Sequence, residues 1–236
     1  MVTEADRRSE RLIRDRLLGA RPGDAFIGEE GGDAGGTSGV RWIVDPIDGT
    51  VNYLYGLPEY CVSIAAAEGD EVVVGVVHSP VPGLEYAATL AGGATRNGVP
   101  LEVPAGGRTF PPVDQALVGT GFGYESDVRA GQGRSVARML PLVRDIRRRG
   151  SCALDLCAVA SGELDGYVEA GPHLWDHAAG GLVAREAGAT VEVTPISRGG
   201  DLVVCAPTPG WSDFNALVRA CGFADEGPAD RSAGPL

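Results

Sequence analysis

Trp42-Ile43-Val44-Asp45-Pro46-Ile47-Asp48-Gly49-Thr50 is the stretch on which the reading of this chain turns. The apolar run ahead of Asp45 reads as a buried strand, and Pro46 is expected to stop it. Asp45 and Asp48 then fall where a strand ends and a new element starts, a common location for active-site side chains. Oxygen ligands at this spacing suit a hard divalent cation such as Mg2+. If a helix begins beyond Gly49, its free N–H groups suit a phosphate.

Upstream, residues 3–18 read as an amphipathic helix. Thr3 is its N-cap, Asp6 follows three residues later, and Leu12, Ile13 and Leu17 supply an apolar face. Gly19 suits the stop. A Gly-rich loop, 28–39, leads into the central strand. Downstream, strand-like runs at 60–67, 71–78 and 84–89 are punctuated by Gly69-Asp70, Pro82-Gly83 and Asn97-Gly98, the pattern of an antiparallel sheet. Pro and Gly residues across 103–112 mark a soft boundary between an α+β half, 1–110, and an α/β half, 111–236. The second half alternates: strand 116–120, helix 128–145, helix 152–161, strand 165–170, helix 176–187, strands 190–194 and 201–206, helix 211–221. Residues 225–236 read as a frayed tail.

The 236 residues suffice for one substantial domain or two packed halves. A net charge of −12, with every cationic residue an arginine, argues against sequence-independent nucleic-acid binding and against anionic membranes. No run is long enough for a transmembrane helix and no signal peptide is visible, so the expected compartment is the cytoplasm. Five cysteines without a C-x-x-C pair read as buried free thiols.

Acidic residues stand in four settings: Asp6, the Gly28-Glu29-Glu30-Gly31 loop, the Asp45/Asp48 pair, and Asp176 in Leu174-Trp175-Asp176-His177-Ala178-Ala179-Gly180. Asp6 also reads as a helix cap, Glu29 and Glu30 as a solvated loop, and Asp176 as a carboxylate favoured by a helix dipole. Asp45/Asp48 resists such readings. Two carboxylates about 4 Å apart repel by roughly 4 kcal/mol at an effective dielectric near 20, so convergence of several would call for cations. The three histidines are expected in structural or surface roles. Gly119-Thr120-Gly121-Phe122-Gly123 lacks a P-loop ending and reads as a loop.

Taken together, Gly28-Glu29-Glu30, Trp42 to Thr50, and Trp175-Asp176-x-Ala178-Ala179-Gly180 resemble the signature motifs of the inositol monophosphatase family, Mg2+-dependent and Li+-sensitive phosphatases. Val2 to Asp6 resembles the segment carrying that family's catalytic aspartate. Gly150-Ser151-Cys152-Ala153 and Tyr167 to Gly171 resemble its substrate-side segments. The resemblance spans roughly residues 2–222.

It implies an α/β fold, a layered αβαβα sandwich with an antiparallel sheet first and a mixed sheet second. It implies two or three Mg2+ ions: Glu29, Asp45 and the Ile47 carbonyl on the first, Asp45, Asp48 and Asp176 on the second, and Glu29 on a third. Asp6 and Thr50 would activate water, with Glu29 and Asp48 sharing in the chemistry. Gly49 and Thr50 would hold the phosphate, and Gly150, Ser151, Cys152, Glu169 and Asp176 would face the substrate. A small phosphorylated polyol such as inositol 1-phosphate is the expected substrate. Histidinol phosphate, fructose 1,6-bisphosphate and 3′-phosphoadenosine nucleotides are the alternatives, and a binding protein on the same fold is the non-enzymatic one. A homodimer is expected. Family members usually carry a further helix before the Asp6 segment, and a start codon assigned too late is the favoured explanation of its absence here.

Overall fold

The computed structural model describes residues 2–101, 109–197 and 199–223. Helix α1 (Glu4–Ala20) begins as the sequence predicts. Thr3 Oγ1 accepts the Ala5 and Asp6 N–H groups at 3.1 and 3.3 Å, and Asp6 accepts the Thr3 N–H at 2.7 Å. This reciprocal cap satisfies donors that the first helical turn leaves open. The rest of the helix departs from expectation. It runs through Gly19, and Leu12 is 59% exposed, while the residues it buries are Asp6 and Glu10. Its two buried acids meet the Glu29 loop and Thr50, while Ile13 and Leu17 are half-buried.

The first sheet holds β1 (Ala25–Gly28), β2 (Val40–Asp48), β3 (Cys61–Glu68), β4 (Glu71–Ser79), β5 (Leu84–Thr89), β6 (Gly93–Arg96) and β7 (Val99–Pro100), side by side in chain order. The three expected runs are β3, β4 and β5. β1, β6 and β7 are two to four residues long, too short to show a period-two pattern. Every neighbouring pair is antiparallel except β1 and β2, which run parallel. Asn97 and Gly98 both have positive φ, 51° and 75°, as the tight hairpin between β6 and β7 demands.

The second sheet holds β8 (Leu117–Thr120), β9 (Asp145–Arg147), β10 (Gly166–Ala170), β11 (Ala189–Pro195) and β12 (Asp201–Pro207) in the order β11-β12-β10-β8-β9. It is mixed: β8 runs parallel to β9 and β10, and β12 antiparallel to β10 and β11. Helix α2 (Thr50–Tyr55) follows β2, and α3 (Ser126–Met139), α4 (Cys152–Ser161), α5 (Leu174–Glu186) and α6 (Trp211–Ala220) belong to the second half. The helix expected over 128–145 ends at Met139, ahead of Pro141, and its last expected residue starts β9 instead. Residues 103–108 of the expected boundary and the expected tail at 225–236 lie outside the described residues.

α4 and α5 fill the space between the sheets. Ala178, Ala179, Leu182 and Val183 of α5 share one apolar cluster with Ile43, Ala65 and Val77 of the first sheet. Leu156 and Ala184 pack with Tyr167, Val203 and Cys205 of the second. The far side of the second sheet is closed by α3 and α6 through Met139, Phe214 and Val218. With α1 against β2, the result is an αβαβα sandwich. The approach of α5 is close because it meets glycine: a Cβ on Gly75 would lie 2.8 Å from the Ala179 carbonyl, and one on Gly180 2.8 Å from that of Ala153. All five cysteines are buried and free. No helix among the described residues is long and apolar enough to cross a membrane.

Candidate active site

Strand β2 does not stop at Pro46. It continues to Asp48 through an irregularity: Asp45 pairs with Ser63 and Asp48 with Cys61, so β2 advances three positions while β3 moves two. That is one extra residue, a β-bulge, and Pro46 sits in it, where its missing N–H costs no ladder bond. In a regular strand, residues three apart point to opposite faces. The extra residue reverses the phase, and both carboxylates reach the same side.

There they meet Asp176, in the first turn of α5. One oxygen from each of Asp45, Asp48 and Asp176 lies within 4.8 Å of the other two. Each carboxylate is oriented by the protein. Asp45 Oδ1 accepts the Ile47 N–H at 2.9 Å. Asp48 Oδ2 accepts Ser151 Oγ at 2.6 Å and the Ala153 N–H at 2.8 Å. Asp176 Oδ2 accepts the His173 N–H at 2.6 Å. Ser151, expected among the substrate contacts, is buried as the N-cap of α4 and spends its hydroxyl on Asp48.

The three carboxylates open onto a cavity of about 350 Å3 that Glu29, Ile47, Gly49 and Thr50 also line. Glu29 belongs to the wall but stands outside the close triad. Gly49 adopts the left-handed conformation, φ 91°, between β2 and α2. Only glycine fits, since a Cβ would lie 2.9 Å from the Glu59 carbonyl. Thr50 Oγ1 donates to the Ile47 carbonyl at 3.1 Å and stands 3.4 Å from Asp6 Oδ1. Asp6 is therefore both the capping-box partner of Thr3 and a hydrogen-bond partner of Thr50.

The second half supplies the opposite wall. Gly150, Cys152 and Glu169 line it, as do Phe122, Gly123, Tyr124, Arg148 and His173, which sequence reasoning had not placed there. Tyr167 donates to Glu169 Oε2 at 2.7 Å. A Cβ at Gly121 would lie 1.9 Å from that same oxygen, so the Gly-rich loop read as a plain connection gives Glu169 its space. The repeated glycines were the available signal. Tyr124 and Arg148, on exposed segments without a motif, left none. Of the other histidines, His177 is buried and bonded to Asp201 at 2.9 Å, and His78 is exposed on β4.

Crowding marks the site electrostatically. Burial pushes the Glu29 carboxyl up to about 7, offset in part by a hydrogen bond with Asp45 and reinforced by the charges of Glu30, Asp48 and Asp6. Burial, then the charges of Asp48, Asp176 and Glu29, raises Asp45 well above its ordinary value. Asp176 is raised likewise, by burial first and Asp48 next. Burial lifts Asp48 to about 6, held back by its bonds to Ser151, Ala153, Cys152 and Gly49. Burial brings Glu169 to about 7 against the Tyr167 hydrogen bond. Carboxylates so placed resist ionising together, and a cation among them relieves both burial and repulsion. The donor set is all oxygen, which suits a hard divalent ion.

The model of the Inositol monophosphatase family matches residues 1–207. The chain belongs to the inositol monophosphatase family. The chain is 46% identical, over 94% of its length and 79% of the relative's, to inositol-1-monophosphatase SuhB of Mycobacterium tuberculosis. The solved structure of M. tuberculosis SuhB superposes with a TM-score of 0.78 at 43% identity, covering 92% of this chain and 84% of that one. Another relative, 38% identical over 93% of this chain and 83% of its own, is named Nus factor SuhB in Haemophilus influenzae. With the family, the chain is a phosphoric monoester hydrolase, and its acidic cavity is the candidate active site.

Proposed function

We propose that the chain hydrolyses inositol 1-phosphate or a similar polyol phosphate with Mg2+ as cofactor. The observation that carries the reading is the convergence of Asp45, Asp48 and Asp176 on one cavity, with oxygens within 4.8 Å of one another. Glu29, Asp45 and the Ile47 carbonyl would hold one ion, Asp45, Asp48 and Asp176 a second, and Glu29 a third. A divalent ion held there would supply Lewis-acid chemistry: polarising the phosphoryl oxygens, lowering the pKa of a water and neutralising the leaving alkoxide.

The chain's own groups do the positioning on which phosphoryl transfer depends. Gly49 and Thr50 line the cavity where their N–H groups would cradle the phosphate, that of Gly49 shared with the Asp48 carboxylate. Thr50 Oγ1 directs its proton toward Asp6 and the Ile47 carbonyl, leaving lone pairs to accept a hydrogen bond from the attacking water. Glu169, fixed by Tyr167, accepts hydrogen bonds from polyol hydroxyls on the opposite wall. Gly150 and Cys152 shape the floor beside it.

The test is phosphate release from a panel of phosphomonoesters at varied Mg2+, with and without Li+. Release from inositol 1-phosphate should require Mg2+, be inhibited by Li+, and fall by about a thousandfold in Asp48→Asn, the order of rate a metal centre supplies. Full activity in that variant, or release indifferent to Mg2+, sinks the reading.

A further inference from the structure

Glu10 is the second buried acid of α1, one turn beyond Asp6, and the chemistry above does not use it. It is only 4% exposed. Each of its oxygens accepts a backbone N–H from the loop that carries Glu29: Glu30 N–H at 2.8 Å on Oε2 and Gly32 N–H at 3.1 Å on Oε1. The loop closes on the carboxylate more tightly than side chains would allow. A Cβ at Gly28 would lie 2.2 Å from Oε2, and one at Gly32 2.5 Å from Oε1. Between them, the Glu29 N–H is bonded to the Val44 carbonyl at 3.2 Å, next to Asp45 in β2. The Glu29 segment is thus fastened on one side to the strand of the aspartates and on the other to α1.

The same face of α1 reaches two further parts of the site. Ser9 Oγ donates to the Pro46 carbonyl at 3.3 Å, within the bulge of β2, and Asp6 meets Thr50. Residues 6, 9 and 10 follow the i, i+3, i+4 spacing of one helical face. A buried ion is costly unless its lone pairs are taken up, and two N–H donors from one short loop do this for Glu10.

We infer that Glu10 is a positioning residue: its carboxylate clamps the Gly28–Gly32 loop and so sets Glu29 on the cavity wall for a divalent cation. This rests on the proposed metal-dependent reading. Groups that orient metal ligands in this way carry about 10- to 100-fold in metal affinity.

Two variants of the full chain approach the clamp from opposite sides. Glu10→Gln keeps the volume but turns an NH2 group toward a backbone N–H. Gly32→Ala keeps the carboxylate and pushes the loop from it. Asp15→Asn, on the exposed face of α1, is the control. In the metal-free proteins, hydrogen exchange at the Glu30 and Gly32 amides should speed up in Glu10→Gln and stay unchanged in Asp15→Asn. By calorimetric titration with Mg2+, and by the Mg2+ dependence of phosphate release, both clamp variants should need about 10- to 100-fold more Mg2+. At saturating Mg2+ their kcat should return to within about threefold of the parent. A clamp with a purely structural role would lower Tm or kcat and leave Mg2+ affinity unmoved, which overturns the inference. Unchanged exchange at those amides overturns it too. A parent chain that binds no divalent cation fails the metal reading itself, whereas a binding parent with unaltered variants fails the clamp alone.

Discussion

Helices α1 and α5 begin alike and end up in opposite surroundings. Each carries an aspartate at its third position, Asp6 and Asp176, and each aspartate bonds back to the N–H of its N-cap, Thr3 or His173. The shared cap fixes the carboxylate through Oδ2. Beyond it the helices part. α5 is buried at every position from His177 to Ala184, held between the sheets, and brings Asp176 into a cluster of acids. α1 leaves Leu12 exposed and buries only Asp6 and Glu10, against polar loops. One helix delivers its acid through apolar packing, the other through hydrogen bonds. The local solution is the same, and the packing decides what each acid does.

That difference can be broken most severely at the acids themselves. Asp176→Asn removes a carboxylate from the triad and should cut kcat by about a thousandfold, a loss of about 4 kcal/mol in transition-state stabilisation. Asp6→Asn keeps the cap acceptor but weakens the pairing with Thr50. Its loss should be about a hundredfold, typical of an impaired proton-accepting arrangement, with Mg2+ dependence unchanged. Steady-state kinetics at saturating Mg2+ distinguishes the two, and equal losses would erase the distinction between the helices.

Packing comes next. Gly180→Ala forces a methyl against the Ala153 carbonyl and should destabilise the fold by about 2 kcal/mol, read by urea denaturation, because α5 has no room to shift between two sheets. No comparable cost is expected at α1, where Gly19 has open space around its Cβ position.

Protonation sharpens the contrast further. Asp45, Asp48, Asp176 and Glu29 all have raised values in the fold, Asp48 to about 6 and Glu29 to about 7. Between their unfolded values near 4 and these folded values, the native state holds more protons than the unfolded one. The site's contribution to stability therefore falls as pH rises from about 4 to about 7. Metal-free Tm should carry that decline, Asp176→Asn should flatten it, and Mg2+ should raise Tm more at pH 7 than at pH 5. A Mg2+ shift that is larger at pH 5 would contradict it. The smallest effect belongs to the exposed face of α1: Leu12→Gln should change stability by no more than about 0.5 kcal/mol. A larger loss would show that this residue is covered in solution.

Much of the site was legible because the chemistry is written in short segments. Asp45, Asp48, Gly49 and Thr50 lie within six residues, and both caps and the tight turns are local in sequence. Strands β3, β4 and β5 announced themselves by length, whereas β1, β6, β7 and β9 are too short for periodicity to register. The apolar face expected on α1 holds only in part: Ile13 and Leu17 are half-buried and Leu12 is exposed, while the fully buried positions are the acids Asp6 and Glu10, which find polar partners in tertiary structure. Gly121 was visible as a glycine but not as the space beside Glu169. Tyr124 and Arg148 reach the cavity through the second half's placement, which no local signal carries.

The sequence by itself determined the acids, the glycine conformations and the capped start of α1, since each depends on neighbours along the chain. Only the tertiary structure decided that Asp45 and Asp48 face the same way. Residues three apart on a strand diverge, and the one-residue bulge against β3 reverses the phase. It also decided that Asp176, more than a hundred residues later, closes the triad, and that Glu10 grips the Glu29 loop, because both depend on how layers built from distant segments pack together.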